Sequence, residues 1–456
     1  MHVLLATAEL SPLIKVGGLA DAVAGLRSAL LAGRTKVTTV LPDHEGWSLD
    51  SEDRTSLDVP EWVGEASART GLLPDGTPLT LIEVEGFPRS HPYLDPYGVG
   101  WSDNTNRYMA FSAAVAALAD HLAPDIVHCN DWHTGAVLGF LTDPPPTVLT
   151  IHNLAYQGFT DGKWLKRIPH RPESFEWWGG TNPLSGAIAL ADRVVTVSPS
   201  YAEEIRTPEF GQGLDEAIRW RGDAVSGIVN GLDTLQWDPT SDPLIPANFT
   251  AADLGGKDDC RAALEKRAGW SGGDPIIGMV TRLTEQKGVD IALQSAVHLE
   301  GMGARLVILG SGERILADWA MELAAQMPDR VAFINAYEEP LSHLIFAGSD
   351  LLLMPSRFEP CGLNQMQAMR YGTIPVATAV GGLRDTIIDD DMHRRRGTGF
   401  LTTTADVGGI VDALHRALRA YRVPSRRLGI QRRGMEIDWS WEASASRYLE
   451  LYRQLI

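Results

Sequence analysis

The chain predicts an α/β protein built on parallel sheets, and three observations carry that reading. Short apolar runs recur along it, among them Val3–Thr7, Lys36–Leu41, Thr147–Ile151, Ile276–Val280 and Leu351–Met354. Such runs suit strands buried on both faces. Stretches with helical spacing alternate with them. The runs end in glycine-rich or polar loops, at the sheet edge where ligands of open α/β sheets bind. A length of 456 residues suits two or three domains.

Taken in order, Val3–Thr7 leads through Ser11–Gly18 into a helix from about Leu19 to Leu31. Strand, glycine turn and helix resemble a dinucleotide-type opening, but the G-x-G-x-x-G fingerprint is absent. Gly17 and Gly18 let backbone approach a ligand closely. Taken singly, Lys15 reads as a solvated lysine and Asp21 as a helix N-terminal charge. A K-x-G-G-L-x-D string directly after a first strand is rarer than either. Lys36–Leu41 is a second strand, and strand-like runs flank the Pro74-Asp75-Gly76 turn between Trp62 and Val84. The 92–104 stretch is a loop rich in glycine and aromatics, followed by a helix over about 106–121. Strand 125–128 ends in Asn130-Asp131-Trp132-His133, and strand 147–151 in His152-Asn153. His133 reads as a core histidine and His152 as a site residue. Residues 161–180 carry Trp164, Phe175, Trp177 and Trp178, either as core or as a wall for sugar rings, with core favoured. Val194–Val197 is a strand, and Val225–Val229 leads to Asn230-Gly231-Leu232-Asp233, a turn signal.

A Pro-, Asp- and Gly-rich stretch places a domain junction at about 234–245, so that residues 1–238 and 239–439 form separate domains. The second half repeats the βα rhythm. Strand 276–280 ends in Thr281–Gly288, where Arg282 and Lys287 are suited to clamp a diphosphate. Strands 306–309 and 331–334 end in Gly310-Ser311-Gly312 and Asn335-Ala336-Tyr337. Strand 351–354 is followed by Arg357-Phe358-Glu359-Pro360-Cys361-Gly362, a helix from Leu363, and strand 373–377. A carboxylate thus stands beside helix-end amides that hold anions. That pairing makes sense if Glu359 faces a polyol or a developing cation while the amides face phosphate. The tail, Trp439–Leu455, reads as an amphipathic helix suited to pack back on the first domain.

A net charge of −18 argues against nucleic-acid or anionic-membrane partners. Cys129, Cys260 and Cys361 are widely spaced, with no zinc pattern or disulfide framework, which fits a reducing cytoplasm. The N-terminus reads as a strand rather than a signal peptide. No apolar run is long enough to span a bilayer.

In order and spacing, several strings resemble the bacterial glycogen synthases and plant starch synthases. They are KVGGLAD at 15–21, HPY at 91–93, NDWHT at 130–134, TIHNLAYQG at 150–158, TPEFGQGLD at 207–215, GIVNGLD at 227–233, TRLTEQKG at 281–288 and SRFEPCGLNQMQAMRYGT at 356–373. The resemblance implies a retaining glucosyltransferase of the GT-B architecture: two Rossmann-like domains, the last helix (440–456) rejoining the first, and an active site in the cleft between lobes that close on substrate. ADP-glucose would be the donor and a glucan the acceptor, with no cofactor and no metal. Lys15, Gly17 and Gly18 would meet the donor phosphates and reacting centre. Asp21 and His152 would line the sugar pocket, and Asn230 and Tyr93 would contact sugar hydroxyls. Arg282 and Lys287 would neutralise the departing diphosphate, Tyr337 would stack on adenine, and Glu359 would contact the donor sugar. The amides of Cys361, Gly362 and Leu363 would bind sugar and phosphate oxygens. No carboxylate suggests itself as the nucleophile of a double displacement.

The chain departs from the family at Arg27, Arg34, Asp43, His91, Ser185, Thr378 and Val380. These changes bear on acceptor and donor preference. They keep open transfer to a small sugar or natural product, while the retained charged residues speak against a catalytically silent glucan-binding homologue.

Overall fold

The computed structural model describes residues 1–456, which divide into two units: Met1–Gly231 with Trp441–Ile456, and Leu232–Ser440. The chain enters the second unit ahead of residue 239. Trp237 already belongs there, stacked on His343 with ring centroids 3.9 Å apart.

The first unit is built on a nine-stranded sheet. Its strands in chain order are β1 (His2–Ala6), β2 (Lys36–Pro42), β3 (Asp50–Ser56), β4 (Ala66–Leu72), β5 (Pro78–Val84), β6 (Ile126–Asn130) and β7 (Thr147–Ile151), followed, after a separate two-stranded ribbon β8 (Glu176–Trp177) and β9 (Gly180–Thr181), by β10 (Arg193–Thr196) and β11 (Val225–Gly227). The spatial order is β11-β10-β7-β6-β1-β2-β5-β4-β3. All pairings are parallel except β3–β4 and β4–β5. The chain moves outward from β1 through β2 and then returns to β6 on its other side. The order therefore reverses between β1 and β6, which is where an open sheet parts its loops to admit a ligand. Strand β3 reads DSEDRTS and is almost wholly exposed. It is a polar edge strand, and its lack of apolar alternation is why the sequence pattern misses it.

The C-terminal helix, Trp441–Arg453, packs into this unit's core through Trp441, Tyr448 and Tyr452. Tyr452 Oη pairs with His128 Nδ1 at 2.7 Å. Trp441 fills a notch left by Gly25: a Cβ there would lie 1.9 Å from the indole nitrogen. Among the aromatics of 161–180, Trp164 and Phe175 are core, Trp177 is half-buried, and Trp178 is 85% exposed.

The second unit has a six-stranded parallel sheet of β12 (Ile276–Val280), β13 (Arg305–Leu309), β14 (Val331–Ile334), β15 (Leu351–Met354), β16 (Ile374–Thr378) and β17 (Phe400–Thr402), in the order β14-β13-β12-β15-β16-β17. Here the reversal falls between β12 and β15. The loops leaving those two strands carry Arg282 with Lys287, and Glu359 with Cys361, respectively.

Candidate active site

In the first unit, the loop after β1 holds Lys15, whose Nζ lies 2.8 Å from Asp21 Oδ2 on the first turn of helix Gly18–Ala32. The two residues expected to meet phosphate and sugar thus form a half-exposed ion pair. Gly17 and Gly18 are not demanded by packing: a Cβ at either meets nothing within 4 Å. Gly17 has φ −150°, open to any residue. The space they leave is available to a ligand.

The turn is held from below by Glu9, which the sequence reading passed over. Glu9 is 4% exposed. Its Oε2 accepts the amides of Val16 (2.7 Å) and Gly17 (3.0 Å), and its Oε1 accepts the Tyr93 hydroxyl at 2.6 Å. Tyr93 stacks on His133 with centroids 4.9 Å apart. Burial and the neighbouring Tyr108 and Glu9 push the Tyr93 phenol well above its ordinary range, so it keeps its proton. His91 accepts the amides of Tyr93 (3.1 Å) and Leu94 (3.0 Å) through Nδ1. A ring nitrogen does here what an Asn side-chain oxygen does in such turns.

At the ends of β6 and β7, the His152 ring donates through Nε2 to Asn130 Oδ1 at 2.9 Å, and its backbone amide donates to Asp131 Oδ1 at 2.7 Å. Burial lowers the His152 imidazole to about 3, so it is neutral at physiological pH. Burial first, and then the charge of Glu9, raise the Asp131 carboxyl to about 7, against two amide hydrogen bonds that lower it. Asp131 also has a left-handed backbone, φ +55°. A strained, buried carboxylate at a strand end is a site signal that the NDWHT string carried only as family likeness. His133 is buried among Tyr93, Tyr108 and Trp132, in keeping with its reading as a core histidine. Asn230 is buried in the loop after β11.

In the second unit, Lys287 does not stand free beside Arg282. Its Nζ donates to both oxygens of Glu359, at 2.8 and 2.6 Å. Ser356 Oγ adds a third bond to Glu359 at 3.1 Å. Glu359 is 4% exposed, so its charge is compensated inside the chain. Arg282 is exposed and enters no ion pair. Tyr337 is 79% exposed at the end of β14. Loop 281–284 is stitched to 310–313 by Leu283 N to Ser311 O (2.9 Å) and Glu313 N to Leu283 O (2.8 Å).

The helix expected from Leu363 begins one residue later, as Asn364–Arg370, with Leu363 as its cap. Gln365 Nε2 folds back onto the carbonyls of Cys361 (3.1 Å) and Gly362 (2.9 Å) and onto Thr386 Oγ1 (3.1 Å). Gly362 has φ +73°, which glycine adopts without strain. Gly382 closes the loop from the other side: its amide donates to the Glu359 carbonyl at 3.0 Å, and a Cβ there would lie 2.0 Å from the Cys361 carbonyl oxygen. Thr378 is buried and donates to the Ser356 carbonyl. It supports the loop from beneath. Asp43 is likewise internal, paired with the buried Arg69. No three His, Cys, Asp or Glu side chains are grouped to hold a metal ion.

Each unit thus brings polar and cationic residues to its own strand-order reversal, the arrangement of a nucleotide-sugar glycosyltransferase built on Rossmann-like sheets. Residues 2–220 match the family described as starch synthase catalytic domain, and residues 261–431 match glycosyl transferases group 1. Glycogen synthase 1 of Methylococcus capsulatus is 40% identical over 100% of this chain and 97% of its own length. Glycogen synthase of Alkalilimnicola ehrlichii is 41% identical over 99% and 98%. The chain belongs to the glycogen and starch synthase family. Among solved structures, the catalytic domain of Arabidopsis thaliana starch synthase IV, bound to ADP and acarbose, superposes with a TM-score of 0.87 at 35% identity, covering 100% of this chain and 99% of that one. Sucrose-phosphate synthase of Thermosynechococcus elongatus shares the fold, with a TM-score of 0.64 at 20% identity over 100% and 98%.

Proposed function

We propose that the protein is a retaining glucosyltransferase that moves glucose from ADP-glucose to the non-reducing end of an α-1,4-glucan in the cytoplasm. The observation that carries this reading is the pairing of Lys287 with the buried Glu359, with the exposed Arg282 on the same loop as Lys287, at the point where the second unit's strand order reverses. As the bond from the anomeric carbon to the phosphate oxygen breaks, its electron pair stays on ADP. Arg282 and Lys287 stabilise that charge, which is larger in the transition state than in bound donor. Glu359, already held by Lys287 and Ser356, grips the glucose hydroxyls. The acceptor hydroxyl attacks from the face the diphosphate leaves, and its proton passes to a phosphate oxygen. Lys15 and the open glycine turn take the phosphates from the first unit, and the neutral His152 contributes to the sugar pocket. Tyr337, with its exposed ring, stacks on the adenine. These cations carry the role that a divalent ion has in other transferases.

The test is incubation of radiolabelled ADP-glucose with glycogen and with a panel of small acceptors. Label in the polymer, released as glucose or maltose by α-1,4-specific hydrolases, supports the reading. Label confined to small acceptors, or a β-linked product, overturns it.

A further inference from the structure

We infer that Glu9 is a positioning residue that sets the hydrogen-bond polarity of Tyr93 and ties it to the glycine turn. This rests on the proposed function, with Tyr93 taken as the acceptor-side sugar contact that the family resemblance implies. Glu9 is a nearly inaccessible carboxylate with no ion-pair partner. Its hydrogen-bond donors are neutral, and they come from two separate segments: the Val16 and Gly17 amides on Oε2, and the Tyr93 hydroxyl on Oε1. Keeping such a charge buried without a cation is unfavourable. A glutamine would tie the same segments together without that burden. What a carboxylate alone does is refuse to donate. Tyr93 must therefore spend its only proton on Oε1, and its phenolic oxygen is left to accept from a ligand. Stacking of the ring on His133 holds the oxygen in that attitude.

Glu9→Gln reverses this with little change of shape. The amide oxygen takes the Val16 and Gly17 amides, and the amide NH2 donates to Tyr93. The Tyr93 proton then turns outward and meets the sugar as a donor. Expected results for Glu9→Gln are an unchanged melting temperature, ADP-glucose affinity close to wild type, and malto-oligosaccharide binding and kcat/KM for glycogen lowered by about tenfold, the scale of one mispaired hydrogen bond. Tyr93→Phe removes the group being polarised, so Glu9→Gln should have almost no further effect in that background. Glu9→Ala, which also frees the turn, should weaken ADP-glucose binding in addition.

Wild-type acceptor binding in Glu9→Gln, or effects of Glu9→Gln and Tyr93→Phe that multiply, would overturn the inference. Should Glu9→Ala fail to fold, the glutamine variant and the double mutant still decide it. Calorimetric titration with a malto-oligosaccharide separates this inference from the function. A wild-type protein that binds the sugar but adds no glucose to glycogen overturns the proposed activity and leaves Glu9 to be judged on binding. One that binds neither sugar nor ADP-glucose overturns both.

Discussion

Lys287 and Glu359 act as a pair, and their substitution effects should show it. Glu359→Ala leaves a lysine without its anion and, on the proposed function, the glucose without its acid, while Lys287→Ala strands a buried carboxylate. Each should lower turnover at least about 100-fold, the scale of one preorganised electrostatic contact. Because the two share one interaction, the double variant should lose far less than the product of the single losses. Steady-state kinetics on ADP-glucose and glycogen check both statements, and independent, multiplying losses would contradict the pairing. The sequence pointed to these residues by position at strand ends. It did not pair them, because residues so far apart along the chain meet only once β12 and β15 lie side by side. Glu9 escaped for a similar reason: its partner Tyr93 comes from a loop 84 positions away.

At the scale of elements, the two glycine-bearing loops answer differently to a methyl group. Gly17→Ala places Cβ in open space at an ordinary backbone angle. Its melting temperature should stay near wild type while affinity for ADP-glucose falls, because the proposed function puts the donor in the room that the methyl occupies. Gly382→Ala drives Cβ into the Cys361 carbonyl and displaces the 359–362 loop. That variant should lose both stability, by about 1–3 kcal/mol as overpacked sites do, and activity. Thermal melts with donor titration distinguish the two.

The strand ends also set a pH response. Burial lowers His44 to about 4 and His128, His133 and His152 to about 3. The unfolded chain takes up protons at these four sites near pH 6.5, where the folded unit stays neutral. Their contribution is complete above about pH 6.5 and is lost as pH falls towards 3, by up to about 1.4 kcal/mol per histidine per pH unit. Asp131, raised to about 7 from 3.8, works the other way, destabilising as pH rises through that interval. One such group does not offset four, so melting temperature should drop between pH 6.5 and 5. A flat profile there would contradict the neutral assignment.

For the molecule as a whole, the last helix belongs to the first unit although the second unit precedes it in the chain. Trp441→Ala empties the space beside Gly25 and Gly231 and should cost about 3–5 kcal/mol of stability. Removing residues 441–456 should do more, since Tyr448 and Tyr452 leave the same core and His128 Nδ1 loses the Tyr452 hydroxyl. Differential scanning calorimetry reads both. If arginine and lysine alone neutralise the diphosphate, EDTA should leave turnover unchanged, and a loss restored by Mg²⁺ would refute that part of the mechanism.

By itself the sequence determined the class of fold, nearly every central strand and the family, and it pointed to the loops at the strand ends as the candidate site. Strand interiors and glycine turns are local patterns, written in adjacent residues. Only the tertiary structure decided that Lys287 pairs with Glu359, that Gln365 and Gly382 shape the loop beside it, that Thr378 and Asp43 are internal supports, and that Glu9 accepts the Tyr93 hydroxyl. It also supplied the polar edge strand Asp50–Ser56, whose pairing comes from the neighbouring hairpin and not from its own composition. The physical reason is the same throughout. A hydrogen bond or ion pair acts over about 3 Å, and which groups come that close is set by the order in which strands are laid side by side.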